Sequence, residues 1–185
     1  MMRKNKCAFA TLAGLAVLAS PAFAGDFILT STDIQHGEFM SQVQEFEGFG
    51  CQGGNQSPAL AWQGAPEGTQ AYAITVYDPD APTGSGWWHW QLVNVPVNVT
   101  SLEAGAGGDI ASLPKGSRSM VNDYGFAGFG GACPPQGHGA HRYQFTIHAL
   151  SQLLDLPDGA SAALTGYMIN AYSLASSQIE ALYKR

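Results

Sequence analysis

The chain has 185 residues, 45% of them hydrophobic and 11% aromatic, enough to build one domain-sized core. Its 23 glycines, 10 prolines and only 12% charged residues argue for loops and short strands and against a helical bundle. A formal net charge of −6 excludes the basic footprint of a nucleic-acid binder and disfavours an anionic membrane surface.

Residues 1–24 read as a cleaved secretory signal. Arg3, Lys4 and Lys6 form the basic start, residues 9–18 the apolar stretch, and Ala22-Phe23-Ala24 the small-x-small cleavage site. The apolar run is too short to span a bilayer, so no stable membrane anchor is expected. The rest, 25–185, reads as a single domain located in the periplasm or secreted. Three of the eight Lys and Arg leave with the signal and none of the 14 Asp and Glu does, so that domain carries a net charge of −9. Any anion it binds must be held by short-range donors. Cys7 leaves as well. Cys51 and Cys133 remain as an even pair in an oxidising compartment and read as one disulfide, the alternative being two separate buried thiols.

Residues 27–30 predict a short apolar strand, 44–54 a Gly-rich loop around Cys51, and 59–62 a strand with alternating bulk. Residues 71–77, Ala-Tyr-Ala-Ile-Thr-Val-Tyr, have strong β propensity and predict a core strand. Another follows at 90–95, ended by Pro96. Residues 99–102 suit a short strand or turn, 103–119 a polar surface loop, and 120–124 a brief pairing. Residues 125–139 hold six glycines and two prolines and predict a second irregular loop. Residues 142–150 alternate apolar and polar side chains, a period-two strand. Asp158 is placed to cap a helix over 160–171 with Ala163, Leu164, Tyr167, Met168 and Ala171 on its apolar face, and 177–183 reads as a strand or short helix.

Between the two central strands lies Asp78-Pro79-Asp80-Ala81-Pro82, then Trp87-Trp88-His89-Trp90. The prolines hold φ near about −65° and remove two donors, so the acids leave the strand in defined directions. The same residues suit a structural turn with a tryptophan core beside it, because Asp-Pro pairs are common turn formers. As chemistry, His89, His141 and Tyr143 can donate to an anion, and amides of the two Gly-rich loops can complete a nest around it. Asp78 suits holding one histidine in a fixed tautomer. Pro82, Trp87 and Trp88 suit apolar walls.

Asp78-Pro79-Asp80-Ala81-Pro82, Trp87-Trp88-His89-Trp90, Pro134-Pro135 and His141-Arg142-Tyr143, in this order, resemble the phosphatidylethanolamine-binding protein family, which includes the Raf kinase inhibitor proteins. The likeness is strongest to its bacterial, Raf-kinase-inhibitor-like branch and runs from about Phe27 to the C-terminus. The resemblance implies a mainly β fold of two packed antiparallel sheets, with a C-terminal helix and short peripheral helices. It implies a non-enzymatic anion pocket formed by Asp78, Ala81, Pro82, Trp87, His89, Cys133, Pro134, His141 and Tyr143. The ligand implied is small and carries a phosphate or carboxylate, as a phospholipid head group does, and a protein partner would be reached through the same loop face. No cofactor is implied. Cys133 stands where the animal proteins have glycine, which supports a disulfide fastening the pocket loop. Pro134 permits a cis bond. Asp80 suits capping its loop and Arg142 pairing with an acid. His138 has no counterpart and is expected to be exposed, while His36 and His148 are expected to be structural.

Two other classes stay open. Asp78, His89 and His141 could ligate zinc in a metal-dependent hydrolase, although no H-E-x-x-H or G-x-S-x-G motif is present. A protease-inhibitor role would rest on the chain termini, which carry no diagnostic motif. Kinase inhibition does not carry over, because an exported chain meets no cytosolic kinase.

Overall fold

The structure, a computed structural model, describes residues 26–185, so the predicted signal segment lies outside the described residues. The strands are β1 (Ile28–Thr30), β2 (Glu47–Gly48), β3 (Cys51–Gln52), β4 (Leu60–Gln63), β5 (Ala71–Asp78), β6 (Trp87–Pro96), β7 (Ser101–Leu102), β8 (Arg118–Ser119), β9 (His141–Leu150) and β10 (Ser173–Tyr183). Among the described residues one α-helix, α1 (Ala162–Tyr172), precedes β10, and short 3₁₀ turns sit at Gln42–Gln44, Ala106–Gly108 and Ile110–Ser112. Among the described residues no helix is long and apolar enough to cross a membrane.

Two antiparallel sheets carry the fold, ordered β1-β4-β7 and β10-β9-β5-β6-β8, with β2-β3 as a separate hairpin. The expected mainly β architecture is therefore present. Leu60, Trp62, Tyr72, Ile74, Val76, Trp90, Leu92, Phe145 and Ile147 belong to the larger core cluster. Ala73, Val93, Leu150, Leu154 and Ile169 form a second cluster that includes α1. With a core on each face, β5 has no solvent side. That is why its first six residues are all buried, where a half-exposed strand would alternate.

Two local expectations change. Ser161, not Asp158, caps α1, its hydroxyl accepting from the Leu164 amide at 3.2 Å, while Asp158 pairs with Arg118 at 3.1 Å. The helix buries Thr165 and Ile169, leaving Leu164 and Tyr167 exposed. This Ala-rich segment is apolar nearly all round, so periodicity leaves its inward face undetermined. The open choice at 177–183 resolves as strand: β10 pairs with β9 from Ser173↔Leu150 to Tyr183↔His141.

His148 sits on β9 with Nε2 3.2 Å from the Thr75 hydroxyl. Burial pushes its imidazole down to about 4. Above pH 6.5 the ring is neutral in both folded and unfolded chains. Below it the unfolded chain takes the proton first, so stability falls until about pH 4, where both forms are charged. This one residue is expected to remove about 2–3 kcal/mol across that window, at about 1.4 kcal/mol per pH unit. Urea unfolding at pH 4 and 7 checks it, since His148→Gln should flatten that part of the profile. An unchanged slope in the variant would exclude His148 as the source.

Candidate functional site

The site forms where β5, β6 and β9 end together. β5 delivers Asp78, β6 begins with Trp87, and β9 begins with His141. The connecting residues 79–86 are tied down. The Asp80 amide donates to Asp78 Oδ1 at 2.8 Å, the Tyr77 hydroxyl donates to the Ser85 carbonyl at 2.8 Å, and the Thr83 hydroxyl donates to the Gly86 carbonyl. Gly86 has φ +69°, and a Cβ there would lie 2.1 Å from the Tyr77 hydroxyl oxygen, so only glycine closes the loop. Arg142 clamps the other end, donating to both Asp80 oxygens at 2.8 and 2.9 Å. This bond to Arg142 holds the Asp80 carboxyl below its ordinary value.

A β-bulge decides where the histidine and the tryptophans go. Val76 pairs with Trp90 but Tyr77 pairs with Trp88, which leaves His89 opposite no residue. Trp90 therefore enters the core, and its indole N–H donates to the Ser119 hydroxyl at 3.0 Å. Trp88 packs beside Tyr77, ring centroids 4.4 Å apart and planes tilted by 37°, close to Gly166 of α1. Trp88 is thus not a wall of the cavity that Trp87 lines. Trp87 and His89 both line the cavity.

That cavity holds about 170 Å³. All nine residues expected in the pocket line it: Asp78, Ala81, Pro82, Trp87, His89, Cys133, Pro134, His141 and Tyr143. Phe49, Thr83, Tyr124 and Pro135 complete the wall. Phe49 and Tyr124 lie in segments with no distinguishing local pattern, so only proximity in space reveals them.

The polar atoms behave differently from the expectation. His89 is 2% exposed, and its Nδ1–H donates to the carbonyls of Gly130 at 2.7 Å and Gly131 at 3.1 Å. Nε2 is therefore the free atom of the neutral ring, an acceptor and not a donor, and it has no partner. Burial pushes the imidazole down from its ordinary value, which the Gly130 bond only partly offsets. The expected nest of amides in this loop is replaced by carbonyls. The Gly130 and Gly131 amides are already spent on the His89 carbonyl at 2.9 Å and Asn55 Oδ1 at 2.7 Å. Gly131 approaches so closely that a Cβ would lie 2.4 Å from the Gln44 carbonyl.

His141 is 2% exposed and doubly engaged. Nδ1 is 2.7 Å from Asp78 Oδ2, and Nε2 is 2.7 Å from His138 Nδ1. Asp78 thus holds a histidine in a fixed tautomer. His138 is exposed as expected, yet its ring closes off the His141 nitrogen that was expected to meet a ligand. Gly137 and Gly139, with φ +77° and +94°, let the chain fold His138 back onto His141. The spacing of the two histidines, three residues apart, is a local signal that could have pointed to this contact. Tyr143 is 1% exposed, and its hydroxyl has no partner, nor does the Trp87 indole N–H. Burial pushes the Tyr143 and Tyr124 phenols up, so both stay protonated donors.

The zinc arrangement is not built. His89 Nδ1 is committed to two carbonyls and both His141 nitrogens are occupied. Among the described residues no three His, Cys, Asp or Glu side chains gather to hold a metal. Cys51 and Cys133 form a disulfide, with Cα atoms 5.9 Å apart, that ties β3 to the cavity wall. Every described peptide bond is trans, that of Pro134 included.

Two packed antiparallel sheets with a cavity lined by a few unpartnered polar atoms define a protein of β type with a candidate small-ligand pocket. The profile of the phosphatidylethanolamine-binding protein family matches residues 30–184, and the chain belongs to that family. It is 50% identical to UPF0098 protein YbcL of Escherichia coli K12 over 172 residues, covering 92% of this chain and 94% of that protein. It is 44% identical to UPF0098 protein YbhB of the same organism over 156 residues, 84% and 98% of the two chains. The crystal structure of E. coli YbcL, described as a member of the mammalian PEBP family, superposes with a TM-score of 0.84, covering 86% of this chain and 98% of that one.

Proposed function

We propose that the protein is a non-enzymatic binding protein, working outside the cytoplasm, for a small ligand that carries a phosphate or carboxylate. The observation that carries this reading is the set of three buried, unpartnered atoms on residues of one cavity: the Trp87 N–H, the Tyr143 hydroxyl and His89 Nε2. Buried polar atoms are normally satisfied, so three orphans together call for an occupant. Two are donors and one is an acceptor. A singly protonated phosphate matches that set, taking both donors on its oxygens and giving its own O–H to His89. A protonated carboxyl matches it in the same way. The disulfide supports the location, since such bonds persist in oxidising compartments.

The proton sets the pH dependence. A phosphomonoester loses its second proton near about pH 6. Above that, either the ligand regains the proton or His89 must take it, and burial opposes the second. Binding therefore takes up a proton, and affinity is expected to rise as pH falls from about 8 to 6. Calorimetry with phosphoethanolamine at several pH values, with and without chelator, tests this. A diester such as glycerophosphoethanolamine, which has no proton to give, should bind more weakly. Tyr143→Phe should cost about 1.5–3 kcal/mol of binding, the value of one hydrogen bond to a charged group. Affinity flat in pH and untouched by Tyr143→Phe would overturn the reading, as would binding abolished by chelator.

A further inference from the structure

The hairpin at the cavity mouth breaks its own turn rule. β2 and β3 pair as Glu47↔Gln52 and Gly48↔Cys51, so Phe49 and Gly50 are the two turn residues. Their φ values are +51° and +82°, the two positive angles of a type I′ turn. Such a turn takes Asn, Asp or Gly at its first position, because a bulky side chain there strains the backbone. This chain has Phe. Strain of that kind persists where a side chain has a task.

Burial does not explain the choice. Phe49 is 75% exposed, with its ring centroid 6.0 Å from Phe46 and 5.5 Å from Tyr124. It lines the cavity nonetheless. The cavity thus runs from a polar end at His89 and Tyr143, 2% and 1% exposed, to an apolar end at Phe49. The hairpin is also held still. Cys51 is bonded to Cys133 across the cavity wall, and Arg185 donates to the Gly50 carbonyl at 2.7 Å and the Pro134 carbonyl at 3.1 Å. A ring fixed in advance loses little entropy when something packs on it.

We propose that Phe49 is a specificity lip that selects, among anions, those with an aromatic ring beside the charged group. The inference rests on the anion-pocket reading. The anionic end meets the Trp87, His89 and Tyr143 atoms, and the ring of the ligand packs on Phe49 at the mouth. A ring is favoured over a chain of the same bulk because the lip is itself a flat ring, and offset or edge contacts between rings add to simple burial.

The test is calorimetry at pH 6 with inorganic phosphate, phenyl phosphate and butyl phosphate, on the wild-type chain and on Phe49→Asn. Phenyl phosphate is expected to bind wild type about 2- to 12-fold tighter than phosphate, the range of an aromatic pair, and tighter than butyl phosphate. In Phe49→Asn the ratio of phosphate to phenyl phosphate Kd should collapse towards one. Its Tm should rise, since Asn suits the turn. Saturable phosphate binding with no ring preference, with equal affinity for butyl and phenyl phosphate, or with a preference that survives Phe49→Asn overturns the lip alone. A fall in Tm with loss of all three probes makes Phe49 a packing residue and also overturns it. No saturable binding of any probe to wild type overturns the anion pocket, and the lip with it.

Discussion

Asp78→Ala is expected to lower the unfolding free energy by about 3–5 kcal/mol, the usual cost of removing one partner from a buried pair. Asp78 is 3% exposed and His141 2%, so neither side chain has water to turn to. The substitution removes both bonds of the carboxylate at once. His141 Nδ1 loses its acceptor at 2.7 Å, and the Asp80 amide loses Asp78 Oδ1 at 2.8 Å. The second loss reaches further, because Asp80 also receives Arg142 and so fixes the start of β9. Asp78→Asn keeps the size and one carbonyl acceptor and should cost less than half as much. Urea unfolding of the three proteins at pH 7 decides the matter, and a cost below about 1 kcal/mol for the alanine would mean the pair does not hold the site together.

Opening the Cys51–Cys133 disulfide is expected to cost about 4–5 kcal/mol in the chain-entropy description, because the bond closes a loop across a sequence separation of 82. Part of the effect should appear in binding. The bond joins β3 to the wall that carries Cys133 and Pro134, so its loss frees one side of the cavity. Unfolding of Cys51→Ser with Cys133→Ser, beside wild type with and without reductant, gives the stability change. The double variant and the reduced protein should agree. Phosphoethanolamine calorimetry on the folded fraction gives the second effect, expected as a several-fold loss of affinity with a more unfavourable entropy. Identical midpoints with and without reductant would show that the bond contributes nothing.

The chain by itself determined the central strands and most of the cavity wall. The 71–77 run, the alternation over 142–150 and the Pro- and Gly-rich segments are local signals, since side-chain period and turn chemistry act within a few residues. The pairing of Cys51 with Cys133 followed from there being two cysteines after the signal. Eight of the nine expected pocket residues lie in short motifs whose order along the chain resembles one family, Cys133 stands next to one of them, and the fold brings all nine to one cavity.

Tertiary structure alone decided the chemistry inside it. The bulge that leaves His89 unpaired exists only because β6 lies against β5 with a one-residue slip, which no reading of 87–90 can show. Which nitrogen of His89 is free depends on two carbonyls 41 and 42 residues away, and those carbonyls turn inward because their own amides bond elsewhere. The same holds for His141, closed by Asp78 on one side and His138 on the other. It holds too for α1, whose Ala-rich surface let packing choose the inward face. Residue types set what each group is able to donate or accept. Burial and the direction of neighbouring backbone set what it has left to offer, because in a buried site every bond made within the protein is one withheld from a ligand.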